Sequence, residues 1–183
     1  LLENLRIAFP EIKPEQEREL AWGMWRHLFL MVMEIAHAPR RVHRTNWRQL
    51  INVPQNEQLI RTMLTTRPCV LISGHFGNFE LGGYLLGLFG FPTHTVARTL
   101  DNRFIDRFVN DFRGRTGQFI LPKNGSGEQI ETLLASGGTL TLLGDQAESS
   151  QRGCWVPFFT KPASTHKAVA LFSLSFDAPT IVV

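Results

Sequence analysis

The stretch CVLISGHFGNFE, residues 69–80, determines how the rest of this chain can be arranged. Its first part, residues 70–72, is a short and wholly apolar run, which predicts a buried β-strand. The strand is followed at once by Gly74, and a second glycine stands at position 77. Glycine allows the backbone to turn sharply where a side chain would obstruct it. We therefore expect a strand that ends in a tight turn.

His75 and Glu80 lie within and just after this turn. Asn78 is a good helix N-cap, and apolar residues follow it, so Glu80 is expected in the first turn of a helix. A carboxylate is stabilised at a helix N-terminus, and one beside a histidine can hold the ring in one tautomer. The sequence therefore predicts a His–Glu catalytic pair. The alternative is an ordinary turn histidine, because His-x4-Glu alone often arises by chance.

The composition indicates a globular chain and excludes several classes. The 183 residues are 43% hydrophobic and 19% charged, which fits one domain with a sizeable core. The formal charge of +3 permits an anionic partner. There is no nucleic-acid motif, no phosphate loop, no Gly-x-Ser-x-Gly elbow and no metal-ligand spacing, so we expect no nucleic acid, metal or cofactor. No run reaches the roughly 18 uncharged apolar residues that span a bilayer.

The chain is expected to form one α/β domain with a mainly parallel central sheet flanked by helices. Residues 1–66 form an N-terminal helical part, with helices from about residue 13 to 38 and from 56 to 64, and residues 67–183 alternate between strands and helices. The predicted strands are 70–72, 94–97, 118–121, 139–143 and 180–183, and the helices between them are 79–88, 102–116, 128–135 and 165–176. The absence of an initiator Met and a last strand that stops abruptly lead us to expect a domain truncated at both ends.

Polar residues follow the carboxyl ends of four predicted strands. In a parallel sheet these ends lie along one edge and can converge on one cleft. Any one of them could instead be a helix cap or a solvated charge. In chain order they are His75 and Glu80, then Arg98 and Asn102, then Lys123, and finally Asp145 and Gln146.

The N-terminal helix has a wide apolar face and leads into a basic cluster. Two stripes of apolar residues, including three aromatic ones, run along residues 15–38. Arg40, Arg41, Arg44 and Arg48 follow, with Trp47 among them. Such a helix either packs into the core or dips into a membrane interface, where Trp and Arg suit an anionic lipid surface.

Together these residues resemble the bacterial lipid A biosynthesis (lauroyl/myristoyl) acyltransferases, within the glycerolipid acyltransferase superfamily, whose mark is His-x4-Asp or His-x4-Glu. The matching blocks follow the family's order over almost the whole chain: LRIAFP at 5–10, HFGNFE at 75–80, RTLDN at 98–102, LGDQ at 143–146 and VPFFTKPAST at 156–165. Thr160 departs from the pattern, where glycine is usual, and so do His166 and Lys167. These departures affect the expected acceptor or chain length more than the chemistry.

The resemblance implies transfer of an acyl group from a thioester, on acyl carrier protein or coenzyme A, to a hydroxyl of a lipid A precursor or similar glycolipid. His75 would be the general base, and Glu80 would orient it and stabilise its imidazolium form. Arg98 would hold a phosphate or help the oxyanion, and Asp145 and Gln146 would shape the acceptor site. Asn102 and Lys123 complete the expected substrate-binding set.

The same resemblance implies a membrane-associated enzyme at the cytoplasmic face of a bacterial inner membrane. Two other classes stay open. One is a lipid hydrolase that uses His75 and Glu80 on a water molecule. The other is a non-catalytic lipid-binding domain with the same fold.

Overall fold

The computed structural model describes residues 1–52 and 57–183. Within these ranges the helices are α1 (Leu2–Ala8), α2 (Pro14–Arg41), α3 (Trp47–Leu50), α4 (Glu57–Met63), α5 (Phe79–Leu88), α6 (Arg103–Gly114), α7 (Gly127–Ala135) and α8 (Ala168–Ser175). The strands are β1 (Cys69–Ser73), β2 (Thr93–Ala97), β3 (Gln118–Pro122), β4 (Thr139–Leu143), β5 (Cys154–Phe158), β6 (Lys161–Thr165) and β7 (Thr180–Val182).

Five strands form one parallel sheet in the order β3-β2-β4-β1-β7, which confirms the predicted fold class. All carboxyl ends of parallel strands lie at the same edge of the sheet. β1 and β4 are neighbours, and Ser73 at the end of β1 pairs with Leu143 at the end of β4. The segments that leave these two strands therefore start side by side, although 70 residues separate them in the chain.

Alternate residues of the strands face two different layers of helices. Val70 packs with Ile130 and Leu134 of α7 in one core. Its neighbour Leu71 belongs to a separate core on the other face, against which Leu86 of α5 also packs. A strand that is buried on both faces reads as a continuous apolar run, which is why the sequence revealed β1 so clearly.

The N-terminal helices precede the sheet, as expected, and α2 joins the core through its last turns. Ile35 and Ala38 pack in a third cluster with Phe112 of α6. Nearer the start of the helix, Trp22 and Phe29 are 72% and 70% exposed. The wide apolar face predicted for this helix therefore lies largely on the surface.

The segment after β4 differs from the prediction of a long loop and a helix over residues 165–176. β5 and β6 instead form an antiparallel hairpin within that loop, and α8 begins at Ala168. Pro157 and Pro162 face each other in the hairpin. The prediction was wrong because proline lacks the backbone N–H that a strand donates to its neighbour and is therefore found mainly in edge strands. A segment with two prolines is for that reason not recognised as a pair of strands from its sequence.

The other predicted helices and strands agree with the structure to within one helical turn. The helix predicted over residues 56–64 corresponds to α4, which is described over Glu57–Met63. Residue 56, where that prediction began, lies outside the described residues.

Candidate active site

The turn between β1 and α5 holds His75 at the carboxyl edge of the sheet. Gly77 has φ +58°, a left-handed conformation that glycine adopts without strain. A Cβ at Gly74 would lie 3.2 Å from Asp145 Oδ2, so any other residue there would push that carboxylate away by a few tenths of an ångström. Asn78 caps α5, because its side-chain oxygen accepts a hydrogen bond from Leu81 N at 3.0 Å. These three residues fix the turn as the sequence predicted.

Asp145, from the segment after β4, is the residue that orients His75. The ring nitrogen Nδ1 of His75 lies 2.8 Å from Asp145 Oδ1, and the backbone N–H of His75 donates to Asp145 Oδ2 at 2.7 Å. An ionised carboxylate can only accept hydrogen bonds, so this contact places the proton of a neutral ring on Nδ1. The other ring nitrogen, Nε2, is left with a lone pair. It lies 3.4 Å from the amide nitrogen of Gln146, which can donate to it.

The carboxylate of Asp145 is held in its ionised form. Burial by itself raises the pKa of Asp145, but hydrogen bonds from the ring and backbone of His75, and attraction to its charged ring, outweigh burial and lower the pKa. The side chains of His75 and Asp145 are 36% and 44% exposed, so a substrate can reach the pair.

Glu80 pairs with a different residue from the one we expected. Its carboxylate forms a two-pronged ion pair with Arg113 of α6, in which Arg113 Nε donates to Glu80 Oε2 at 2.9 Å. The side chains of Glu80 and Arg113 are only 8% and 15% exposed. Among the described residues, the hydrogen bonds of the His75 ring go to Asp145 and Gln146. The contact of Glu80 is therefore with Arg113, because a nearly buried carboxylate needs a cation, and the catalytic role expected of Glu80 stays a prediction.

Helix α2 contacts the same turn from the other side. His27 Nε2 lies 3.1 Å from the carbonyl oxygen of Gly77, and Asn78 donates to Glu34 Oε2 at 2.7 Å. The His75 turn is therefore held by α2, by the cap of α5 and by the segment after β4.

The other residues predicted for the site follow the ends of β2 and β3. The side chains of Arg98 and Asn102 contact residues two or three positions away in the chain. Arg98 is 68% exposed and pairs with Asp101. Asn102 caps α6 by accepting hydrogen bonds from Phe104 N and Ile105 N, the structural role that sequence left open. Lys123 is exposed. The structure thus brings together His75, Asp145 and Gln146, and it leaves Arg98 and Lys123 as two exposed cations at the same sheet edge.

A mostly apolar cavity of about 220 Å³ lies between α5 and the sheet, and it is lined by neighbours of the His–Asp pair rather than by the pair itself. Ser73 and Leu143, at the paired ends of β1 and β4, line it. Phe79 lines it too, and the Phe79 ring meets the His75 ring edge-on at a centroid distance of 4.8 Å. The Glu80–Arg113 pair forms part of the wall. The cavity is therefore connected to the His75 turn through the Phe79 side chain and the ends of β1 and β4.

The protein is thus an α/β protein with an exposed histidine and an ionised carboxylate partner at the carboxyl edge of a parallel sheet, near a mostly apolar cavity, and such places are common sites of ligand binding. The family described as "Bacterial lipid A biosynthesis acyltransferase" matches residues 1–183, so this chain belongs to that family and is an acyltransferase. A comparison with curated proteins gives no match. Membership implies an acyl donor, a lipid acceptor and association with a bacterial membrane. No helix in residues 1–52 and 57–183 is long and apolar enough to cross a bilayer.

Arg113 is the residue of this site that the sequence analysis missed. It lies in the last turn of α6, where a basic residue is common because it favours the helix dipole. One signal was available: Glu80, followed by an apolar helix, was placed where burial would require a cation. The sequence holds 19 Lys and Arg residues, however, and nothing in their spacing singles out Arg113.

Proposed function

We propose that this acyltransferase moves a fatty acyl group from a thioester, on acyl carrier protein or coenzyme A, to a hydroxyl of a lipid A precursor or similar glycolipid, with His75 as the general base. The observation that carries the proposal is the His75–Asp145 pair beside the apolar cavity. The family gives the reaction class, and the geometry supports His75 as the residue that takes the proton.

The proposed reaction uses the lone pair on Nε2 of His75, with the acceptor hydroxyl taking the place of the Gln146 amide. Nε2 removes the proton from the acceptor hydroxyl while the hydroxyl oxygen attacks the thioester carbonyl, so that a C–O bond forms. The tetrahedral intermediate then collapses, the C–S bond breaks, and the thiolate takes the proton back from the imidazolium. Asp145 holds the ring with Nε2 facing the substrate and stabilises the imidazolium between the two steps. General base catalysis of this kind contributes about 10²–10⁴-fold.

Glu80 and Arg113 have a supporting role in this scheme. Their ion pair joins the first turn of α5 to the last turn of α6, and α5 begins directly after the His75 turn. We infer that the pair holds that turn at a fixed distance from the cavity. Arg98 and Lys123, exposed at the same edge, are proposed to meet phosphate groups of the glycolipid or of the donor. The neighbouring Gln146 is proposed to contact the acceptor hydroxyl.

The decisive experiment is mass spectrometry of the lipid products after incubation with an acyl carrier protein thioester and a lipid A precursor. A new ester on the acceptor supports the transferase. Release of free fatty acid at the same rate with and without the acceptor would favour the hydrolase, and binding of lipid without any product would favour the non-catalytic domain. An acyl-coenzyme A arm run in parallel identifies the donor.

The exposed part of α2 supports membrane contact, proposed here at the cytoplasmic face of the inner membrane. Trp22, Trp25 and Phe29 are at least half exposed, and α2 is tied to the His75 turn through His27 and Glu34. Large apolar side chains that are exposed together on one helix are typical of a contact surface and favour an apolar surrounding. A bilayer next to the active site would supply both that surrounding and the acceptor lipid.

The basic cluster after α2 is less free than the sequence indicated. Arg44 Nε donates to the carbonyl oxygen of Leu88 at 3.2 Å, and Trp47 packs on Phe89 with Arg48 over its ring. Trp47, predicted at headgroup depth, is therefore engaged with the protein. Arg40 and Arg41 at the end of α2 are the better candidates for lipid phosphates, each contributing on the order of 1 kcal/mol near an anionic surface.

Co-sedimentation with vesicles that contain anionic lipid tests this surface. We expect Trp22→Ser combined with Phe29→Ser to weaken binding at every salt concentration, and Arg40→Ser combined with Arg41→Ser to weaken it mainly at low salt. Leu174→Ser is the matched control, because Leu174 is 82% exposed on α8, which packs on the opposite face of the sheet. Equal binding by all variants would exclude α2 as the docking surface.

A further inference from the structure

A second histidine–carboxylate pair lies in the segment that follows β4. His166 Nδ1 lies 2.9 Å from Glu148 Oε2, and the backbone N–H of Ser149 donates to the other carboxylate oxygen at 2.6 Å. The hydrogen bond from Ser149 and the attraction to His166 lower the pKa of Glu148, so its carboxylate is ionised. The side chains of His166 and Glu148 are 26% and 19% exposed, so this pair is better shielded from water than the first one.

The strand register places the second pair next to the active-site amide. Ala147 forms an antiparallel bridge with Thr165. In that register Gln146 lies opposite His166, and opposite residues of an antiparallel pair lie on the same face. Residues two apart on a strand also share a face, so Glu148 lies on that face too. One cross-strand step therefore separates His166 from the Gln146 amide, which contacts the ring of the proposed base.

Backbone pairing alone holds this segment weakly. The bridge is accompanied by a backbone hydrogen bond from Glu148 N to Ser164 O at 3.0 Å, and an isolated pairing of two strands is marginally stable in water. Residues 145–147 are exposed, so apolar burial contributes little to their placement. The partly buried contact between His166 and Glu148 is therefore well suited to fix the segment. An ionised carboxylate only accepts hydrogen bonds, so Nδ1 of His166 is the donor.

The hairpin that leads to His166 is anchored at its far end. At the turn between β5 and β6, Thr160 Oγ1 donates to the carbonyl oxygen of Ile7 at 2.7 Å, and the Phe159 ring meets Phe9 edge-on. Both contacts join the hairpin to the end of α1. The hairpin is thus held by the N-terminal part of the chain at one end, and at the other end His166 contacts the segment that carries the active-site residues.

We propose that Glu148 and His166 are positioning residues that hold the Gln146 amide at Nε2 of His75, where it meets the acceptor hydroxyl. The inference rests on the proposed function, because it gives Gln146 a contact with the acceptor. Asp145 accepts two hydrogen bonds from His75 itself, so its place depends less on the second pair. Loss of that pair should therefore weaken recognition of the acceptor more than it slows the removal of its proton.

The test compares kcat, KM for the acceptor and KM for the donor in variants of the full chain. His166→Ala should raise KM for the acceptor by about tenfold, with kcat and KM for the donor nearly unchanged. Glu148→Gln should act in the same direction, because an amide has one accepting oxygen for the two donors that the carboxylate serves.

Two further variants are the controls for His166→Ala. His166→Asn should restore most of the native KM, because an amide N–H can take the place of Nδ1–H and donate to Glu148. His94→Ala is the matched control, since His94 is also half-buried but lies near the amino end of β2, away from the edge that carries the site. It should leave all three constants unchanged.

A double-mutant cycle with Gln146 separates positioning from a general loss of stability. Gln146→Ala should raise KM for the acceptor, and adding His166→Ala should raise it little further, because the pair acts through that amide. A variant that is merely destabilised would instead add its effect to that of Gln146→Ala. Additive effects in this cycle, or an unchanged KM for the acceptor in both His166→Ala and Glu148→Gln, overturn the inference.

Equilibrium binding of a radiolabelled lipid A precursor in detergent, measured without a donor, separates this inference from the proposed chemistry. Weaker binding by His166→Ala and native binding by His166→Asn support the positioning role. If the unaltered protein forms the ester but His166→Ala binds the precursor as tightly, the inference fails and the proposed function stands. If binding changes as expected and no ester forms, the positioning role stands and the proposed transfer fails.

Discussion

Replacing Asp145 with asparagine tests the pairing that the structure assigns to His75. Asparagine keeps the size of the side chain, but only one of its two terminal atoms can accept a hydrogen bond, so it can serve either the ring or the backbone N–H of His75 and not both. It also removes the negative charge 2.8 Å from Nδ1. The charge matters once the ring becomes an imidazolium, which happens along the reaction path. We therefore expect kcat to fall while KM for the acceptor stays nearly constant.

The size of the effect follows from the geometry of the pair. Two unit charges whose centres are about 4 Å apart attract by about 1 kcal/mol at the dielectric constant of water and by about 4 kcal/mol at the value of 20 used near protein surfaces. Both side chains are more than one-third exposed, so the screened half of this range applies. A loss of about 2 kcal/mol predicts a decrease in kcat of roughly 30-fold.

The assay is steady-state ester formation followed by mass spectrometry, with Asp101→Asn as the control. Asp101 is 92% exposed, pairs with Arg98 at the same edge of the sheet, and its replacement changes the net charge by the same amount. Combining Asp145→Asn with His75→Ala should cost little more than His75→Ala alone, because the two residues act as a unit. Full activity of Asp145→Asn, together with a large loss in Glu80→Gln that leaves stability unchanged, would refute the assignment.

Three further predictions concern the same residues. His75→Ala should reduce turnover by about 10²–10⁴-fold with an unchanged circular dichroism spectrum, and near-normal activity in a folded variant would rule out the base. Glu80→Gln leaves Arg113 without its charged partner and should lower the free energy of unfolding by about 3 kcal/mol, or the melting temperature by roughly 6–12 °C. The double variant with Arg113→Met should restore much of this loss, and an unchanged melting temperature in Glu80→Gln would contradict this role. Because folding lowers the pKa of Asp145, the His75–Asp145 pair stabilises the protein above the ordinary aspartate pKa, and this stabilisation is lost as the pH falls through the lowered pKa. The difference in melting temperature between the unaltered protein and Asp145→Asn should therefore shrink on acidification, and a difference that does not depend on pH would contradict this prediction.

Much of the fold could be read from the sequence because the strands of the parallel sheet, β1 most clearly, are short runs rich in apolar or β-branched residues between glycine, proline or polar residues. The residues Thr139–Leu143 and Phe79–Leu88 were predicted with the bounds that the structure gives. The hairpin of β5 and β6 could not be read in this way, since most of its residues are exposed and two are proline. Burial on both faces produces a pattern in the sequence, and exposure on both faces removes it.

The sequence predicted where in the fold the site lies, but it did not predict which side chains contact each other there. His75, Asp145 and Gln146 were all assigned to the carboxyl edge, and they meet there. Their meeting depends on β1 lying next to β4, and periodicity along the chain gives strands without giving their order in the sheet. Arg98 and Lys123 follow β2 and β3, which lie further along that order.

The partner of Glu80 is determined by the direction of α5. Residues four apart lie on the same face of a helix, so Glu80 and Tyr84 point the same way. The Tyr84 ring stacks on Phe112 of α6 at 4.9 Å, and Arg113 is the next residue along that helix. The face of α5 that carries Glu80 is therefore directed at α6, and its buried carboxylate meets the guanidinium that lies there. Glu80, five residues after His75, thus anchors the helix that follows the histidine. The carboxylate that contacts the His75 ring is that of Asp145, which follows the neighbouring strand β4.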